Sequence, residues 1–171
     1  MKKLILISFL VALTVMSANC GYKLAGFSSQ VPSGIKTIAI PDFDNKTSRY
    51  QIDQYITYSV REEFIKRSNL VLEENSSSAD SLLEGTINRF DVKPISYSSD
   101  ASANLYRVTV DVSVRFINIK TGQVIFEGDS ITFSDDYEID DDDFFTRETQ
   151  TLLKIADECA ASVVTTILEN F

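Results

Sequence analysis

The chain has 171 residues, 16 of them basic and 25 acidic, for a formal net charge of −9 at pH 7. A hydrophobic share of 44%, with 11 Phe and 7 Tyr, supplies core material and excludes wholesale disorder. Histidine is absent and there are two cysteines, which removes the commonest general base and leaves too few ligands for a Cys₄ zinc site or a disulfide framework; the acidic balance argues against nucleic acid, whose binding needs Lys and Arg.

The first element in chain order is an address. Lys2 and Lys3 precede an apolar run from Leu4 to Met16, followed by Ser17, Ala18, Asn19 and Cys20. This is the layout of an export signal, here residues 1–19. The run is too short for a membrane span, which needs about 20 apolar residues. Cys20 stands where a bacterial lipoprotein carries its lipidated cysteine. Ser17 and Asn19 depart from the usual lipobox, which favours Leu, then Gly or Ala, at those places. The alternative is soluble export with Cys20 unmodified. Lipidation would attach several acyl chains, of the palmitate kind, enough for stable membrane anchoring. Cleavage removes Lys2 and Lys3 and no acid, so the mature chain is more acidic still. Its length, about 150 residues, suffices for one good core.

Residues 20–34 read as a polar tether with one short strand near Tyr22 to Leu24. Residues 35–171 read as a single domain. Ile35 to Ile40 is a compact apolar run ending at Pro41, which predicts a strand. Ser48 with Gln51 fits a capping box. A helix then places Ile52, Tyr55, Ile56, Val60 and Phe64 on one face. Leu70 to Leu72 is a second short strand. Leu82 to Val92 is a strand of mixed phase, with a bulge expected at Gly85 and a stop at Pro94. Ser96 to Asn104 reads as a loop or a ragged hairpin end.

The clearest pattern is Tyr106, Val108, Val110, Val112, Val114 and Phe116 alternating with Arg107, Thr109, Asp111, Ser113 and Arg115. It predicts a strand with one buried and one wet face. Lys120-Thr121-Gly122 is a hairpin turn. The returning strand runs from Val124 to about Phe133 and changes parity, which a bulge near Gly128 would repair. Asp135 to Asp143 is an acidic run, expected as a loop. A final helix from about Phe144 carries Leu152, Ile155, Ala156, Cys159, Val163 and Ile167 on one stripe. The economical fold is α+β: a two-layer sandwich with both helices on one face of a mostly antiparallel sheet of four to five strands.

Catalytic candidates are weak. The acidic run lacks the Gly and Glu positions of an EF-hand loop and reads as solvated, so no metal is expected. Cys159 lies on an apolar stripe with no His to activate it. Arg89, Lys93, Arg107 and Arg115 lie on or beside the predicted strands. On a wet face they would suit an anionic ligand, or pair with acids across strands, for instance Asp111. No enzyme and no cofactor is expected. Open sheet edges point instead to binding or assembly.

Several segments together resemble one family. They are Cys20-Gly21-Tyr22-Lys23-Leu24, Val31-Pro32 before Ile35–Ile40, Phe43-x-Asn45-x-Thr47, Ala79-Asp80 before Leu83-x-Gly85, and Tyr106–Val110 with the Thr121-Gly122 turn. The chain resembles the lipopolysaccharide-assembly lipoproteins of the LptE family. The resemblance implies an outer-membrane lipoprotein, anchored on the periplasmic side through Cys20. Such a protein sits as a plug in the LptD β-barrel, helps that barrel assemble and binds lipopolysaccharide in transit. In that family the binding is attributed to basic residues near the loop end of the sheet. The matching connector here, Ser96 to Asn104, has no Lys or Arg, and Ser134 to Asp143 is strongly acidic. The other reading is a periplasmic lipoprotein that regulates a cell-wall synthase or forms part of a secretion channel. A membrane-inserting hairpin needs an apolar outer side. Arg107, Asp111 and Arg115 occupy that side.

Overall fold

The computed structural model describes residues 34–99, 102–139 and 143–169. The export segment, Cys20, the tether with its expected strand at Tyr22–Leu24, and the centre of the acidic run at Asp140–Asp142 lie outside the described residues.

The elements follow one another as β1 (Thr37–Ala39), β2 (Asp44–Asn45), α1 (Ile52–Arg67), β3 (Val71–Glu73), β4 (Ser81–Tyr97), β5 (Ala103–Asn118), β6 (Val124–Glu138) and α2 (Phe144–Glu169). The sheet runs β3-β1-β4-β5-β6, with β2 also paired to β4. The expected α+β sandwich of two helices and one sheet is what the chain forms. The sheet is mixed, so the expectation of a mostly antiparallel sheet holds only roughly. The long ribbon β4-β5-β6 is antiparallel, while β1 pairs with β3 and β4, and β2 with β4, in parallel. The parallel pairs follow from connectivity. α1 lies between β1 and β3, and a strand–helix–strand crossover returns the chain in the same direction.

The core lies between the helices and one sheet face. Ile52, Ile56, Val60 and Phe64 of α1 and Leu152, Ile155, Ala156, Cys159, Val163, Val164 and Ile167 of α2 are at most 1% exposed. They meet Leu83, Ile87, Val108, Val110, Val112 and Phe116, which are fully buried. Burial of each large aliphatic or aromatic side chain stabilises the fold by about 1.5–3 kcal/mol. β5 alternates buried and less buried residues from Val108 to Phe116, as its sequence requires.

Several local expectations are corrected. The capping box does not form: Gln51 stands at the N-cap in the left-handed region (φ 62°) with no side-chain cap bond. Ser48 lies earlier, in a loop whose hydrogen bonds come from Asn45 and Thr47. The phase change in β4 occurs where the register shifts between Ile87 and Arg89, not at Gly85. That shift turns Phe90 and Val92 toward the core and Arg89, Asp91 and Lys93 outward. Pro94 does not stop β4. Beyond Ile87 β4 has no strand on the side away from β5 among the described residues, and the register shifts again after Pro94, so the proline sits in an edge segment, where a strand tolerates it. The Ser96–Asn104 connector is the end of a longer β4–β5 hairpin, with Tyr97 paired to Ala103 and Ser98 N–H donating to Ser102 O. The acidic run is not all loop: Asp135 to Glu138 are the last residues of β6, and Tyr137 among them is buried. The bulge near Gly128 does form, with Asp129 and Ser130 set against Ser113. Gly122 takes the positive φ (70°) its turn demands.

Candidate functional site

The sheet face turned away from the helices carries all the basic residues singled out in the sequence. Antiparallel register places their partners. In one row Glu84, Arg115 and Glu127 stand side by side across β4, β5 and β6; in another, Arg89, Asp111 and Thr132; in a third, Lys93, Arg107 and Asp136. The structure therefore brings Arg89, Lys93, Arg107 and Arg115 onto one open face. It also gives each of them a carboxylate.

Arg107 holds Asp136 by two parallel bonds, Nε to Oδ1 at 2.7 Å and Nη2 to Oδ2 at 2.8 Å. This fork keeps the Asp136 carboxyl below its usual range and raises the Arg107 guanidinium, with the hydrogen bonds as main cause in both. Arg89 Nε lies 2.8 Å from Asp111 Oδ2, and Thr132 Oγ1 donates to the other Asp111 oxygen at 2.7 Å. Lys93 sits 2.5 Å from Asp91, and Arg115 3.7 Å from Glu84. These side chains are exposed or half-buried, so each pair adds little to stability. Their chemical meaning is that every one of the four cations on this face is already neutralised.

Two further clusters hold the ends of the sandwich, and sequence reading missed both. At the chain-entry end, Asp80 Oδ2 accepts from the N–H groups of Lys36 (2.8 Å) and Thr37 (3.2 Å), and Asp80 Oδ1 meets Lys120 Nζ at 2.5 Å. Thr37 Oγ1 accepts from Asp80 N–H, and Ile119 N–H donates to Asp80 O. One residue thus ties β1, the start of β4 and the β5–β6 turn together. These donors, led by Lys120, lower its carboxyl to about 2.

At the opposite end, Arg49 reaches from the loop before α1 to the first turns of α2. Its Nε is 2.9 Å from the buried Glu148 carboxylate, its Nη2 donates to Thr149 Oγ1 at 3.1 Å, and its guanidinium lies 5.8 Å from the centre of the Phe90 ring. The loop is built to deliver it. Asn45 Oδ1 accepts from Thr47 N–H, Thr47 Oγ1 accepts from Arg49 N–H, and Asn45 Nδ2 donates to Arg49 O. Tyr137 lies near the same carboxylate; its hydroxyl is buried with no hydrogen-bond partner among the described residues. Burial first, then Glu148 and Tyr106, push its ionisation well above the ordinary value. Tyr106, Tyr137 and Phe144 stack or meet edge-on at 5.1–5.8 Å. The signal for this cluster was in the sequence: Asn45-x-Thr47 is turn chemistry, and Glu148 falls on the apolar stripe of α2, where an acid needs a partner.

Nothing in this arrangement resembles a catalytic centre. Cys159 is fully buried, and burial pushes its thiol up to about 12. Among the described residues no group of His, Cys, Asp and Glu is placed to hold a metal ion, and no helix is long and apolar enough to cross a membrane.

The comparisons agree with the architecture. Uncharacterized lipoprotein B from Nitrosomonas europaea superposes with a TM-score of 0.56 at 12% identity, over 84% of this chain and 88% of that one. The protein XCC0632 from Xanthomonas campestris gives 0.55 at 11% identity, over 79% and 85%. The hypothetical protein CT253 from Chlamydia trachomatis gives 0.54 at 7% identity, over 78% and 96%. At such identities the likeness is one of fold. No curated protein matches the sequence. The family described as LptE, Lipopolysaccharide-assembly, matches residues 35–167. That range takes in every described strand and nearly all of α2, and with it the Asn45–Thr47 loop and the Asp80 tie; the chain belongs to the LptE lipopolysaccharide-assembly family.

Proposed function

We propose that this chain is the lipid-anchored accessory subunit of the outer-membrane lipopolysaccharide translocon. In this reading residues 1–19 are removed, Cys20 is acylated, and residues 20–34 tether the domain to the periplasmic side of the outer membrane. The domain occupies the LptD barrel, supports its assembly and assists passage of lipopolysaccharide to the outer leaflet. The role is one of assembly, not catalysis. The observation that carries the reading is the family match through the whole folded domain, from Ile35 to Ile167.

Arg89, Lys93, Arg107 and Arg115 are the proposed contact for lipopolysaccharide phosphates. Each already faces a carboxylate, so a phosphate must compete with Asp111, Asp91, Asp136 and Glu84 for the same cation. Contact of this kind is weak and salt-dependent, which suits a ligand in transit.

The test is depletion of the protein in its own cells, following the amount of folded LptD barrel in the outer membrane and lipopolysaccharide at the surface. Both should fall together. A barrel that assembles at its normal level, with lipopolysaccharide still reaching the surface, would refute the proposal.

A further inference from the structure

The sheet has unpaired borders of unequal quality. β3 is three residues long. The distal half of β4 carries Pro94 and two shifts of register around it. Both are poor templates for another strand. β6 is different. It runs for 15 residues without proline, and among the described residues β5 is the sole strand paired to it.

Its two faces specify what would fit beside it. On the helix side Phe126, Ile131 and Phe133 stand opposite Phe116, Val112 and Val110 of β5. The β5 residues are fully buried, whereas the β6 residues are half-buried. The apolar layer therefore reaches the border, where α2 and the core cover it only in part. On the open face β6 presents Glu127, Asp136 and Glu138, with Asp129 at the bulge, and no basic residue. Asp136 is held by Arg107, and among the described residues no ion pair engages Glu127 or Glu138. A second copy of β6 would set acid against acid, which disfavours self-pairing. A strand alternating cations with aliphatic residues would neutralise one face and complete the apolar layer on the other.

We propose that the free border of β6 is a strand-addition site for an extended, basic segment of a partner protein, with Lys or Arg opposite the β6 carboxylates and aliphatic side chains over Phe126, Ile131 and Phe133. Main-chain hydrogen bonds to β6 supply the affinity and the alternate side chains the selectivity. The inference does not rest on the lipopolysaccharide reading.

The test uses the mature chain from residue 20 and short synthetic peptides, with fluorescence anisotropy as readout. A peptide alternating Lys and Val should bind. Its Glu–Val counterpart, and the Lys–Val peptide with every backbone amide methylated, should bind roughly tenfold or more weakly, since one loses the charge match and the other the main-chain donors. Glu127→Lys with Glu138→Lys, at exposed positions, should reverse the preference toward the Glu–Val peptide. Absence of Lys–Val binding would overturn the proposal. So would equal binding of the methylated peptide, which would reduce the effect to charge attraction, or a dimer of the chain that the peptide displaces.

Discussion

The ring of Phe43 occupies the space that any side chain at position 85 would need. A Cβ built on Gly85 falls inside contact distance of three Phe43 ring atoms. Phe43 is fixed there from both sides: its N–H donates to the buried Thr57 Oγ1 at 2.9 Å, and the β2 residues after it pair with Thr86 and Ile87. The glycine in β4 is thus a seat for an aromatic ring and not a bulge.

Gly85→Ala should accordingly destabilise the domain by about 1–3 kcal/mol through overpacking. Phe43→Ala should cost about 3–5 kcal/mol through the cavity it leaves. The double variant should cost less than the two added together, because each change relieves the other's defect. Urea unfolding midpoints of the three variants measure this coupling directly. Strict additivity would mean that the ring moves aside.

Asp80 predicts an acid sensitivity. Its folded-state carboxyl titrates at about 2, below the ordinary 3.8. The stabilisation it supplies is complete above the unfolded value and is lost as pH falls toward the folded one. Asp136, lowered by Arg107, contributes in the same direction. Thermal midpoints between about pH 4 and 2 should therefore fall less steeply in Asp80→Asn than in the parent chain. Parallel curves would show that Asp80 is not held in this way.

The Arg49–Glu148 pair predicts a strong asymmetry between single and double changes. Glu148→Gln leaves a guanidinium without its counter-charge at a site where Glu148 is 8% and Arg49 25% exposed at the side chain. The expected loss is about 3 kcal/mol, the lower end of the range for a buried pair because Arg49 keeps some solvent. Arg49→Met with Glu148→Leu should cost less than Glu148→Gln alone. Chemical denaturation of both variants decides it; a double variant worse than the single would assign the cluster a different balance of forces.

Tyr137 supplies the opposite case. Its hydroxyl is buried without a partner among the described residues, so Tyr137→Phe removes a desolvated group and keeps the ring in its stack with Tyr106. Stability should stay level or rise by about 1 kcal/mol. A fall of that size in the thermal midpoint analysis would reveal a bonded hydroxyl.

How legible each feature was depends on its range. The β5 alternation and the α2 stripe are local periodicities, and both elements form as read. Strand parity decides that Arg107 and Arg115 share one face of β5; Arg89 and Lys93 join them only through the register shift after Ile87, which no local signal announces. The Arg49–Glu148 contact joins residues far apart in the chain, and no periodicity announces such a pair. The same holds for Asp80, whose partners Lys36 and Lys120 come from distant segments. Local signals also misled where tertiary contacts prevailed. Gly85 suggested a bulge, yet it accommodates Phe43. Ser48 and Gln51 suggested a capping box, yet Asn45 and Thr47 organise the loop and Gln51 adopts the left-handed backbone instead. Pro94 suggested a stop, but it lies where β4 has lost its second neighbour.

The assembly role is tested most directly by what the intact protein holds. The chain carrying a C-terminal tag is expressed in its own cells, outer-membrane fractions are solubilised in mild detergent, and the proteins that co-purify with the tag are identified and quantified. The account predicts one large β-barrel, LptD, in about equal amount to the tagged chain. Recovery of a cell-wall synthase, or of this chain alone as a homo-oligomer, would contradict it.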